Sequence, residues 1–175
     1  MEIACGRCLL RPLVPADAAS LARHANDREV WRNLRDRFPH PYSADDALDW
    51  IAFLAGSKVH TSFGIVVGDE AIGSIGLMLG EDIERRSAEI GYWIGRAYWG
   101  RGIMTDAVRA TTRYAFEELG LLRVFAVPFA RSVRSARVLE KVGYAYEGLM
   151  RRSAVKEGEI LDQHLYAAYD DRPLA

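Results

Sequence analysis

The spacing of apolar and polar positions predicts the elements of this chain one by one. Leu9-Leu10-Arg11-Pro12-Leu13 reads as a first strand, and Asp17 stands where it would cap a helix running to about Asn26. Ser43-Ala44-Asp45-Asp46 is a second cap, for a helix over 44–55, on which Ala47, Leu48, Ile51, Leu54 and Ala55 recur at helical spacing until Gly56. Strand signals follow at Ser62–Val67, Ala71–Leu79 and Ala88–Gly95, with a turn at Gly68-Asp69-Glu70. A long helix is predicted from Gly102 to about Leu119, where Ile103, Ala107, Ala110 and Tyr114 keep one face apolar. A strand over Leu122–Phe129, a short helix over Ser132–Val142 and a hairpin of Tyr144–Val155 with Ile160–Tyr169 complete the pattern. The order β-α-α-β-β-β-α-β-α-β-β predicts an α+β fold, a mixed sheet of about seven strands with about four helices.

Composition narrows the class. The 175 residues are 50% hydrophobic and 27% charged, which predicts one globular domain spanning 1–175. No apolar run approaches the roughly 18 residues of a membrane helix, and residues 1–7 lack the pattern of a secretory signal. Two cysteines make no disulfide framework, so a cytoplasmic compartment is expected. The net charge of −1 hides an asymmetry: residues 96–141 hold nine Lys/Arg against four Asp/Glu, inside flanks that are net acidic. A central basic block predicts an anionic ligand. A run of acids at Asp45, Asp46, Glu81, Asp82 and Glu84 is a candidate mouth for a cationic acceptor, or a set of solvated faces.

The candidate chemistry centres on Glu89-Ile-Gly-Tyr-Trp-Ile-Gly95, Arg96-Ala-Tyr-Trp99 and Gly100-Arg101-Gly102-Ile103-Met104-Thr105. A glycine-rich turn between a strand and a helix presents unpaired backbone N–H groups and the positive end of the helix dipole, the elements of a phosphate site. Arg96 and Arg101 add charge there. A Walker loop is excluded, because no lysine follows the glycines. A dinucleotide fingerprint fits poorly: Thr105 sits at its third glycine, and Val124–Phe129 ends without the ribose-binding acid. Cys5-Gly-Arg-Cys8 has redox spacing but precedes a strand instead of opening a helix. His24, His40, His60 and His164 show no metal spacing, so no metal is expected.

Four blocks, taken in order, carry a resemblance: Leu10-Arg11-Pro12 with Asp17, Ala88–Gly95, Tyr98–Ala107 and Ser135–Tyr144. Over about Leu9 to Tyr169 the chain resembles the GNAT superfamily of N-acetyltransferases, and within it the RimJ/RimL-like protein N-acetyltransferases. The resemblance implies a twisted, mostly antiparallel sheet with a splayed central strand pair. It implies acetyl transfer from acetyl-CoA to a primary amine by direct attack in a ternary complex. Trp93, Ile94, Gly95, Gly100, Arg101, Gly102, Ile103, Met104, Thr105 and Ser132 are then the expected cofactor-binding residues. The pantetheine arm is expected between the strand ending near Ile94 and the strand Leu122–Phe129, with Pro128 at the splayed end, where its missing N–H loses no partner.

The chain departs from the family pattern at Trp99 and Met104, which stand where glutamine or arginine and glycine or alanine are usual. It departs again at Ser132, where asparagine is common, and at Leu139, where many members have tyrosine. Glu89 is the expected base and Ser135 the expected donor to the leaving thiolate, with a backbone N–H near Ile94–Gly95 for the oxyanion. Asp162 matches a recurrent family acid. The implied acceptor is a protein N-terminal amine of ribosomal-protein type. A small amine (polyamine, aminoglycoside or amino acid derivative) and a non-catalytic acyl-CoA-binding module are the alternatives. No nucleic acid or membrane partner is expected; family habit adds a homodimer.

Overall fold

A computed structural model of the chain describes residues 1–56 and 59–171. It contains eight strands: β1 (Ile3–Cys5), β2 (Cys8–Arg11), β3 (Ser62–Val67), β4 (Glu70–Leu79), β5 (Ser87–Ile94), β6 (Arg123–Ala126), β7 (Ala145–Lys156) and β8 (Glu159–Tyr169). The helices are α1 (Ala18–Ala25), α2 (Arg28–Trp31), α3 (Ala44–Ala55), α4 (Ile103–Glu117) and α5 (Val133–Val142). The strands form one sheet in the order β1-β2-β3-β4-β5-β6-β8-β7. β5 and β6 pair parallel, while β1–β2, β2–β3, β3–β4, β6–β8 and β7–β8 pair antiparallel. The α+β expectation holds. β1 and α2 exceed the seven strands and four helices, because three- and four-residue elements are too short to show a period. No helix among the described residues is long and apolar enough to cross a membrane.

The chain divides into two compact units, Met1–Gly76 with Tyr92–Ala107 and Leu77–Gly91 with Val108–Ala175. In the first, α1 turns Ala18, Leu21 and Ala25 inward at helical spacing, and they pack with Tyr42, Ala47, Ile51, Val66 and Ala71. Phe38 and Trp93 lie against this cluster, their rings edge-to-face at 5.4 Å. The cap of α3 is as expected: Ser43 Oγ accepts from the Asp46 amide at 3.2 Å, and Asp46 Oδ2 accepts from the Ser43 amide at 2.7 Å. Asp46 therefore serves the helix start. Asp17 differs from its expected role. It closes a 3-10 turn before α1, and its carboxylate takes Arg11 in a two-pronged pair at 2.7 and 2.8 Å plus the Val14 amide at 2.9 Å. A guanidinium that near outcompetes a helix amide for the same lone pairs.

In the second unit β5 and β6 share three rungs, Ser87↔Arg123, Ala88↔Val124 and Glu89↔Phe125. β6 then stops at Ala126, three residues short of the expected Phe129. Pro128 has no N–H to give a ladder, and its carbonyl instead accepts from the His164 amide at 2.9 Å. α5 ends at Gly143, whose φ of +100° suits glycine alone. Leu139 is fully buried, and the hydroxyl of the buried Tyr144 meets Thr112 Oγ1 at 2.7 Å. Burial pushes the Tyr144 phenol up to about 12.

Candidate active site

Nine of the expected site residues fall in the first unit, where the end of β5 becomes the start of α4. Gly73 makes the approach possible, since a Cβ there would run into the Trp93 carbonyl. Past β5, the Gly95 amide donates to Ile72 O at 2.8 Å, keeping the chain paired for one more residue. Amides alternate across a strand, so the N–H of Ile94 points to the opposite edge of β5. The expected oxyanion donor is thereby narrowed: Gly95 is engaged, and Ile94 is the residue whose amide faces outward.

The turn that follows is held at short range. Tyr98 N donates to Gly95 O at 2.9 Å, Trp99 N to Arg96 O at 3.1 Å, and the Trp99 indole to Ile94 O at 2.9 Å. Trp99, a departure from the family pattern, thus braces the turn from within. Gly100 and Gly102 take φ of +77° and +79°, where a side chain is strained. A Cβ at Gly100 would meet nothing within 4 Å, so the backbone there is open to a ligand. The first helical bond of α4 runs from Asp106 N to Gly102 O at 3.1 Å, which leaves the amides of Ile103, Met104 and Thr105 without helical acceptors. Ile103 and Met104 bury their side chains, so the second departure, Met104, leaves the backbone cradle clear. The exposed Arg101 holds its guanidinium carbon 5.1 Å from the Tyr98 ring centroid. One open glycine, a second beside the Arg7 guanidinium, three first-turn amides of α4 and Arg101 suit a diphosphate, and this is where the cofactor expected from the sequence would sit.

Trp93 contributes differently from the glycines. Its half-buried ring packs against Phe38 and the core, and its backbone carbonyl lies against Gly73.

Sequence reasoning passed over the groups behind the turn. Glu70 Oε1 lies 2.6 Å from His24 Nε2 and also accepts from Arg23, while Oε2 accepts from the Tyr98 hydroxyl at 3.2 Å. His24 and Arg23 hold the Glu70 carboxyl down at about 2. An ionised carboxylate only accepts, so Nε2 of His24 carries a proton. The His24 ring meets Tyr98 edge-on at 5.5 Å, and a Cβ on Gly95 would come within 2.5 Å of its Nδ1. A histidine with no metal or catalytic spacing gave no sign of this; the clue was the glycine at 95.

Arg7 closes the other side. Its amide and its guanidinium donate to Asp106 Oδ2 at 3.2 and 2.7 Å, which offsets an acid in the first turn of α4. Gly6 and Arg7 form the tip of the β1–β2 hairpin, whose paired cysteines face each other at 3.1 Å. The Cys5 thiol and burial push the Cys8 thiol up, so Cys8 does not supply the low-pKa thiolate of a redox centre.

Glu89, Ser132 and Ser135 lie in the second unit. Glu89 is half-buried on β5 and shares a face with Gly91, where a Cβ would meet nothing within 4 Å. Ser132 precedes α5, with its amide on Phe129 O at 2.8 Å, and its hydroxyl does not cap the helix. Ser135 is half-buried in the first turn of α5. Asp162 Oδ1 accepts from the amide of Arg152, a residue at φ +53°, and so pins an irregularity of β7.

Residues 7–145 match the family model described as an acetyltransferase (GNAT) domain. The chain is 30% identical over 164 residues to the uncharacterized N-acetyltransferase p20 of Bacillus licheniformis, with 92% of each covered. It is 30% identical over 110 residues to the ribosomal-protein-serine acetyltransferase of Escherichia coli, covering 62% of this chain and 60% of that protein. Among solved structures, Mycobacterium smegmatis RimJ in complex with CoA-disulfide superposes with a TM-score of 0.83, over 97% of this chain and 87% of that one at 24% identity.

Proposed function

Because this chain belongs to the GNAT acetyltransferase family and is an acetyl-CoA-dependent N-acetyltransferase, we propose that its acceptor is the N-terminal amine of a protein. Acetyl-CoA, when bound, supplies the acetyl group as a thioester. The observation that carries the cofactor assignment is the turn itself: Gly100 and Gly102 at positive φ, opening onto the first amides of α4 beside Arg101. In the first unit the Gly100–Thr105 backbone and Arg101 hold the diphosphate and the backbone of Trp93–Gly95 lines the pantetheine arm; in the second, Ser132 is the polar group that the family pattern assigns to that arm. The Ile94 amide, which faces away from β4, donates to the acetyl carbonyl oxygen.

Two side chains serve the transfer. Glu89 accepts one from the acceptor ammonium, directly or through a water, so that the free amine can attack. Its half-buried place on an open face of β5 supports this role. Ser135 stabilises the departing sulfur by a hydrogen bond from its hydroxyl as the C–S bond breaks, and the thiolate takes up the proton that the attacking nitrogen sheds in becoming the amide. The protein-amine acceptor is supported by the similarity to the protein named as the ribosomal-protein-serine acetyltransferase of Escherichia coli.

Calorimetric titration with acetyl-CoA, with NADH as control, tests the cofactor half. Saturable binding of acetyl-CoA alone is expected. Transfer is then followed by mass spectrometry on a peptide with a free N-terminus, the same peptide blocked at its N-terminus, and a polyamine. Acetylation of the free N-terminus alone is expected. Acetylation of the polyamine alone would move the acceptor to small amines, and binding without transfer to any amine would leave an acyl-CoA-binding module.

A further inference from the structure

Within the glycine turn the backbone bonds are local, Tyr98 N to Gly95 O and Trp99 N to Arg96 O, and the Trp99 indole reaches Ile94 O; at its start the Gly95 amide pairs with Ile72 O on β4. A side-chain chain ties the middle of the turn to the rest of its unit: Glu70 on β4, His24 on α1 and Tyr98 in the turn. Both oxygens of Glu70 are occupied, Oε1 by Arg23 and His24 and Oε2 by Tyr98. His24 is pinned from two more sides, by the edge of Tyr98 and by the Gly95 backbone. Tyr98 is thus held by its hydroxyl and by its ring, and that ring carries the Arg101 guanidinium.

We propose that Glu70 is a positioning residue for the anion-binding turn, acting through His24 and Tyr98 to set where Arg101 stands beside Gly100 and Gly102. This rests on reading the turn as the cofactor's diphosphate site. An exposed arginine loses rotamer freedom when it clamps an anion; one already laid against a fixed aromatic face loses less. The network therefore acts on cofactor affinity without touching the cofactor. A purely structural Glu70, one that only joined α1 to β4, would change stability and leave affinity alone.

The test is a double-mutant cycle on the full chain. Glu70→Gln keeps the size of the side chain and removes its charge. Relative to wild type, we expect KM for acetyl-CoA and the calorimetric Kd for CoA to rise about two- to fivefold, the range for a cation–π contact, with kcat moving less. In an Arg101→Ala background the same substitution should add nothing further. Equal effects in both backgrounds, or a lower melting temperature with unchanged Kd, would overturn the proposal.

Hydrogen exchange separates this from failure of the cofactor reading. If wild-type protein binds no CoA, exchange at the Tyr98 and Trp99 amides still reports on the turn without any ligand. Faster exchange there in Glu70→Gln and in Tyr98→Phe, with the β3 amides unchanged, supports positioning. Unchanged exchange in both variants overturns it.

Discussion

Glu70 in the first unit and Glu147 in the second use the same chemistry. Each accepts from an arginine and from a tyrosine hydroxyl, and these donors hold each carboxyl at about 2, His24 contributing most at Glu70 and Arg123 at Glu147. Their surroundings differ. Glu147 joins Arg123 on β6 to Tyr169 on β8, and those two residues already face each other as register partners. Its contacts staple strands that the backbone ladder holds in any case. Glu70 reaches Tyr98 in a turn whose own backbone bonds are local. Where the ladder runs, a charged side chain adds a little stability. Where it stops, the same side chain sets geometry.

The largest test of this contrast uses two glycines of nearly equal φ. Gly102 at +79° lies in the anion turn, and Gly158 at +77° lies in the β7–β8 turn. Valine at either position adopts a left-handed conformation that costs about 1–2 kcal/mol. Both variants should melt lower by similar amounts. Gly102→Val should also weaken acetyl-CoA binding by at least about tenfold, as the strain of about 1–2 kcal/mol falls on the binding backbone. Gly158→Val should bind as wild type. Equal affinity loss in both would remove the distinction between the regions.

Tyr144→Phe is the next in size. It deletes a buried hydroxyl contact with Thr112, while Thr112 keeps its bond to Val108 O at 2.8 Å. A loss of about 1 kcal/mol is expected, a melting shift of roughly 2–4 °C for a chain of this length. Glu147→Gln should cost less, about 0–1 kcal/mol, because its pairs are near the surface. Neither should alter the Kd for acetyl-CoA. A shift in Kd with Glu147→Gln would show that the strand staple also reaches the binding turn.

How much of this was legible in the sequence follows from the range over which sequence patterns operate. α3, α4 and β3 declare themselves through spacings of two to four residues, and the glycine turn through composition. The resemblance of four short blocks supplied the family. Periodicity carries no trace of the Glu70–His24 contact, 46 residues apart, or of Glu70–Tyr98, 28 residues apart. Asp17 was misread for a related reason. As a helix cap it obeys a local rule, but Arg11 arrives from the preceding strand and takes the carboxylate. Cys5-Gly-Arg-Cys8 was read as leading into one strand; it is the tip of a hairpin, because Gly6 can take φ of +27° and β1 needs only three residues.

The smallest effect concerns acid, and here the two carboxylates should behave alike. Each is lowered in the folded state from an ordinary value of 4.5 to about 2. Between those values the folded chain binds fewer protons than the unfolded one, so falling pH favours unfolding. The stability each group contributes is complete above about pH 4.5 and lost as pH falls through about 2. Urea unfolding midpoints measured across this window should therefore fall less steeply in Glu70→Gln and in Glu147→Gln than in wild type. Linkage counts protons and is blind to what a carboxylate positions, so the two slopes should flatten by similar amounts. Amide exchange at Tyr98 and Trp99 over the same pH series should accelerate in wild type as Glu70 protonates, and should be insensitive to Glu147→Gln. A turn that loosened equally in both variants would mean that the two regions share one cooperative unit, and the difference between staple and positioner would disappear.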